Sequence, residues 1–415
     1  MDWCVVVDKI GQFSSTGDGL KNFLALVVTS ALILTGCAPS QDASNGTGIG
    51  SSAENPLPVE ALGVFTQNAS SAEEPLGAQL AVRASNNNEW TKACRAFKPR
   101  STSGFGVVYD ELIKDACSKA KPNSFKASAV VSPSVSARNV SRYMDSLRFH
   151  ESYWSTRMNP GFTSPLRVVF SERDKRWWTQ KQKQYLLKPD LGWFTSKSEG
   201  THCRVMADIF CPKHFEGALT KSGNPVEFRI IGSRLSWQNW QLTNGAHEAV
   251  HIYQDSHGQG HWMFWYIEGQ ATLFELAMGR LLHKSDVLRK MYLVDGPKQN
   301  DSLKINASSP ESVAKFFVDC NNSGNACATF KYGGGSLFHE KLILDYGLDK
   351  YFQWQDYLNL NMSRGDQSKF TPAENEKLFK TFAKSFEEVF GITQERFETK
   401  VMPKYFFDSY REATR

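Results

Sequence analysis

The pentapeptide His247-Glu248-Ala249-Val250-His251 constrains what this chain can fold into more than any other feature of it. It lies within an apolar-periodic stretch, residues 240–253, whose spacing predicts an α-helix. On a helix the two histidines stand about 6 Å apart along one face, so both imidazoles can reach one Zn²⁺. Glu248, one residue on, projects to the side of such an ion, where a general base belongs. The fold must therefore present this face to a second element that supplies a third ligand, and leave a fourth position open. Gly245 weakens the helix relative to alanine, and close packing against a neighbour is the usual reason to tolerate it.

Two residues compete for the third place. His257 follows His251 at the spacing of the metzincin pattern H-E-x-x-H-x-x-G-x-x-H, but Gln254 stands where that pattern needs a glycine to stop the helix. Glu268 opens a second apolar-periodic stretch, residues 265–282. Two antiparallel helices joined by the Gly-rich loop 256–261 would bring Glu268 beside the histidines. Glu275, two turns beyond Glu268, reads as structural, and His257 and His261 read as exposed loop residues.

HEAVHIYQ followed by WYIEGQATLFE resembles the gluzincin metallopeptidases of the peptidase MA-like class, with HExxH and a W-x-x-E-G-x-A segment on the next helix. Tyr332-Gly333-Gly334-Gly335-Ser336-Leu337-Phe338, ending at Tyr346-Gly347, resembles the Y-x-x-G-x-x-F helix of that class. Phe386 to Gly391 with Phe397-Glu398 resembles its closing F-x-x-x-F-G…F-E pattern. The resemblance spans roughly residues 139–405, in the expected order. It implies a zincin-like fold in which His247, His251 and Glu268 hold Zn²⁺, with His257 the alternative third ligand, and Glu248 is general base and proton shuttle. It also implies a further hydrogen-bond donor for a tetrahedral intermediate. Tyr332 and His339 are the candidates, His339 reading as the more solvated. The run FRII, residues 228–231, resembles the edge strand that binds substrate backbone in this class.

The rest of the chain sets the context. Residues 23–34 are a twelve-residue apolar run, too short to span a bilayer but suited to a signal peptide. Leu34-Thr35-Gly36-Cys37 then resembles a bacterial lipobox, which implies cleavage after residue 36 and a lipid on Cys37. Residues 37–88, rich in Ser, Ala, Asn, Gly and Pro, read as a flexible tether. Its root-mean-square reach is roughly 40 Å. Residues 89–138 carry one short amphipathic helix at 109–119 and a loop at VVSPSVS, with no evident function, and residues 139–415 form the metallopeptidase domain. Strands are expected at 166–170 and 228–231, a helix at 174–187, loop at 188–224, and helices from 235 onward, broken near 295–312 and in the Gly-rich stretch 321–335. This is an α+β pattern: a small mixed sheet followed by a mainly helical C-terminal part, with HExxH on a central helix. In an oxidising compartment the six cysteines beyond Cys37 are expected as neighbouring disulfides, Cys94–Cys117, Cys203–Cys211 and Cys320–Cys327.

Lys and Arg total 48 against 43 Asp and Glu, interspersed and without basic runs, so the net charge of +5 gives no footprint for nucleic acid. The sequence thus points to an extracytoplasmic zinc metallopeptidase, lipid-anchored to a bacterial membrane and hydrolysing polypeptide with metal-activated water. The alternatives are a non-catalytic lipoprotein binding cell-wall glycan or protein, for which Trp237, Trp240, Trp262 and Trp265 could serve as stacking platforms, and a zinc amidase acting on peptidoglycan stem peptides.

Overall fold

The computed structural model describes residues 88–120, 127–131, 133, 135, 137–157, 166–171, 216–220, 226–231, 241–259, 262–322, 326–365 and 367–415. The expectations for the signal segment, Cys37, the tether, the helix at 174–187, Trp237, Trp240, His261 and the Cys203–Cys211 pair lie outside these residues.

The described residues are mainly helical. In chain order they form α1 (Glu89–Ala96), α2 (Phe105–Lys119), β1 (Ala127–Val131), α3 (Ala137–Arg157), β2 (Leu166–Ser171), β3 (Glu216–Thr220), β4 (Val226–Ile231), α4 (Gln241–Ser256) and α5 (Phe264–His283). Short helical segments at Val287–Lys290, Met291–Asp295 and Gly296–Asn300 lead to α6 (Pro310–Asn322), α7 (Ala328–Tyr346), α8 (Leu348–Asn361), α9 (Pro372–Phe390) and α10 (Met402–Ala413). Among these residues no helix is long and apolar enough to cross a membrane.

The strands pair in the order β1-β2-β4-β3, with β1, β2 and β4 parallel and β3 antiparallel to β4. FRII belongs to β4, which is hydrogen-bonded on both sides, so it is not an edge; the edge on that side is β3, which lies alongside α4. β3 falls within the stretch expected to be loop, and the first two residues of VVSPSVS complete β1.

α5 is the central helix. It is buried on nearly all sides, from Tyr266 to Leu281, as expected of a helix whose apolar residues leave no polar face. α4, α2 and α7 pack against it, and α3 packs against α4. Two of these contacts close in at glycines, the first on a side chain and the second on main chain. A Cβ on Gly245 would stand 2.5 Å from the Ser146 hydroxyl of α3, and one on Gly335 would stand 2.0 Å from the Trp265 carbonyl oxygen of α5. α7 runs helically straight through Gly333, Gly334 and Gly335, where the glycines alone suggest a break; the close crossing with α5 outweighs their low helix propensity.

The N-terminal helices belong to the same core. Trp90 of α1 and Tyr109, Leu112 and Ile113 of α2 are buried in it, and α2 begins four residues earlier than its amphipathic pattern indicates. Disulfides join Cys94 to Cys117 and Cys320 to Cys327, two of the three expected pairs. α9 begins with a capping box, the Thr371 side chain accepting from the Glu374 amide and the Glu374 carboxylate from the Thr371 amide, and ends at left-handed Gly391.

Candidate metal centre

α4 sets His247 and His251 one turn apart on its α5-facing side, and the first turns of α5 bring Glu268 opposite them. The two Nε2 atoms are 3.1 Å apart, and Glu268 Oε2 lies 3.3 Å from His247 Nε2 and 3.2 Å from His251 Nε2. These three donors form a nearly equilateral triangle. Ligand atoms about 2.0–2.1 Å from a tetrahedral zinc stand about 3.3 Å from one another, so the triangle has the dimensions of one face of that tetrahedron. His247, His251 and Glu268 can therefore hold a metal ion in common.

The distal ring nitrogens fix which lone pairs face the centre. His247 Nδ1 lies 3.1 Å from Glu275 Oε2, so it carries the proton and donates it, leaving Nε2 to the triangle. Glu275 is in turn held by the Tyr292 hydroxyl at 2.8 Å and the Thr243 hydroxyl at 3.4 Å. His251 Nδ1 lies 2.8 Å from Gln254 Oε1. The Gln254 amide nitrogen donates to the Ile267 carbonyl at 3.1 Å and to Gln270 Oε1 at 2.7 Å, which fixes its oxygen toward His251. Gln254 thus performs a task that its identity as "not glycine" does not reveal, and Glu275, read as structural from its spacing, faces one of the three converging donors.

Electrostatics fits the geometry. Burial lowers the basicity of the His247 imidazole, but its hydrogen bonds to Glu268 and Glu275 outweigh this and raise it well above the ordinary value. Burial alone would raise the Glu268 carboxyl; the adjacent His251 and His247 reverse that and hold it far below the usual carboxylate range. Binding a cation here would displace the imidazole proton and take over as the carboxylate's counter-charge.

Glu248 is buried beside this group, its Oε1 accepting at 3.4 Å from Asn244, whose Oδ1 accepts at 2.7 Å from the Tyr143 hydroxyl of α3. Burial raises the Glu248 carboxyl, although His251 and His247 act against it. Tyr332 stacks on His247 with ring centroids 6.3 Å apart and lies edge-on to exposed Phe264 at 5.4 Å. Burial, then the charges of Glu268, Glu248 and Glu275, push its phenol well above the ordinary value, which keeps it protonated.

The other candidates lie elsewhere. His257 stands beyond the end of α4, buried rather than exposed, with Nδ1 donating to the Tyr253 carbonyl at 2.9 Å, and it is not among the converging donors. His339 is fully buried rather than solvated, bonded to the Tyr266 carbonyl at 2.9 Å and to the Tyr351 hydroxyl at 3.0 Å. Trp262 is buried, with its indole N–H donating to the Ser363 carbonyl, so it offers no open ring face for stacking.

Comparison with known proteins finds no matching family model, no matching curated protein and no matching solved structure.

Proposed function

We propose that the chain is a zinc-dependent peptidase of the gluzincin type with a zincin-like fold, acting on polypeptide. The observation that carries this reading is the donor triangle with both Nδ1 atoms engaged from behind and a separate buried carboxylate, Glu248, adjoining it. His247, His251 and Glu268 would hold the ion. When bound, zinc supplies a Lewis acid and lowers the pKa of water to about 7. The remaining work falls to the chain. Glu248, raised by burial yet attracted by the two imidazoles, is suited to take a proton from water and return it to the departing amine. Tyr332, protonated and beside His247, is placed to donate to the oxygen of a tetrahedral intermediate. The edge strand β3 beside α4 offers main-chain groups with which an extended substrate could pair.

Export and lipid attachment at Cys37 rest on the sequence, and the two disulfides suit an oxidising compartment. The testing experiment measures metal content of the purified protein and compares hydrolysis of an unfolded polypeptide with that by Glu248→Gln. One zinc per chain and loss of at least about a hundredfold in rate by the variant are expected. Absence of metal, or equal hydrolysis by the two proteins, defeats the reading. Bound zinc with release of stem peptides from peptidoglycan, and none from polypeptide, would reassign the substrate to the amidase alternative.

A further inference from the structure

A cavity of about 100 Å³, open toward solvent, lies between α5, α6, α7 and the C-terminal segments and shares no residue with the metal group. Its walls are Trp265, Phe317, Phe330, Phe338 and Met402, with Glu398 the acid among them. Phe330, Phe338 and Met402 are buried, whereas Trp265 and Phe317 are half-buried. The volume exceeds what one water needs several-fold and is on the scale of a single ring, since an engineered apolar cavity of about 150 Å³ takes up benzene.

Glu398 gives this space its chemistry. Among the described residues its one hydrogen bond is from the Gln394 amide at 2.6 Å, and no cation stands within ion-pairing distance. Lys331 also borders the cavity, and among the described residues it makes no ion pair with Glu398; the charge acting most on its ammonium is that of Asp301. Glu398 itself is half-buried, and desolvation pushes its carboxyl up to about 7, the Gln394 bond only partly opposing it. A carboxylate in an aromatic wall with one neutral partner lacks a counter-charge, and aromatic rings attract the same kind of ion that would supply it. A purely apolar occupant fills the space and leaves the acid unmatched; an anionic one adds repulsion.

We propose that this cavity binds small apolar amines, with the ammonium paired to Glu398 and the hydrocarbon body held among Trp265, Phe317, Phe330 and Phe338. The site is independent of the peptidase reading, and its test needs no catalysis. Benzylamine and its neutral counterpart benzyl alcohol are titrated calorimetrically into the full chain and into Glu398→Gln. Benzylamine is expected to bind the unaltered protein about tenfold or more tighter than benzyl alcohol, and the substitution to remove that preference while leaving benzyl alcohol unchanged. Failure of benzylamine to bind at millimolar concentration, equal binding of both probes by the unaltered protein, or undiminished amine binding by Glu398→Gln would each overturn the assignment. Should Glu398→Gln not fold, the two probes on the unaltered protein decide.

Discussion

Gly335→Ala tests the geometry that sets the metal site. The added Cβ would stand 2.0 Å from the Trp265 carbonyl oxygen and 2.9 Å from the Gly269 Cα. An ordinary carbon–oxygen contact is about 3.4 Å, so α5 and α7 must part locally by about 1.4 Å, and main chain on both sides leaves no side chain to give way. Overpacking of this kind costs about 1–3 kcal/mol, the upper end applying where backbone must move, offset by up to about 1 kcal/mol from replacing a helical glycine. The net is a loss of about 2 kcal/mol, or roughly 4–8 °C in Tm. Glu268 immediately precedes Gly269 and Tyr332 lies three residues before Gly335, so zinc affinity should fall as well. Gly334→Ala is the internal comparison: its Cβ would meet only the Phe330 ring, at 2.8 Å, and a ring can rotate. That variant should stay within about 0.5 kcal/mol of the parent or gain slightly. Urea denaturation of the three proteins, with zinc titration of each, reads both quantities. If Gly335→Ala is as stable as the parent, or no worse than Gly334→Ala, the close crossing is not what holds these helices.

Other perturbations have equally definite outcomes. Glu275→Gln should weaken zinc binding about 10–100-fold in a competition titration, because the His247 imidazole loses the carboxylate that orients it; unchanged affinity would show that Tyr292 and the packing suffice. Replacing Cys94 and Cys117 by serine opens a 23-residue separation and should cost about 3 kcal/mol in the urea midpoint by the loop-entropy account, against about 2 kcal/mol for the seven-residue Cys320–Cys327 pair. Glu398 binds its proton more tightly folded than unfolded, so its contribution to stability is present at low pH and is lost as pH rises toward about 7. Between pH 5 and 8 the stability of the parent should fall relative to Glu398→Gln by about 1–2 kcal/mol once solvent screening of this half-buried group is allowed for, and parallel curves would refute the desolvation of that carboxyl.

The sequence made the two histidines legible because a spacing of four on a helix has one geometric meaning. Glu268 was legible through its motif, since nothing local says which helix will face which. Gln254 and Glu275 were not, because their roles depend on how α4 and α5 face each other: Glu275 reaches His247 only once α5 is laid beside it. His339 misleads for a related reason. Its helix carries polar residues on several sides, and burial there is decided by Tyr266 and Tyr351 closing over it from α5 and α8. The glycines of α7 read as a break because propensity is a property of one chain segment, whereas their value lies in the approach of another.

The hydrogen bonds behind the two histidines have a consequence for how a cation would be held. Gln254 ties His251 to the main chain of α5, and Glu275, which faces His247, is tied by Tyr292 and Thr243, so each ring is oriented through its distal nitrogen. In a zinc finger the metal assembles its own ligands, and folding waits for it. Here both rings are tied from behind to neighbouring side chains, so a cation bound by the three donors would have less ligand freedom to remove. The ion then adds stability only by mass action, in proportion to how far its free concentration exceeds its dissociation constant.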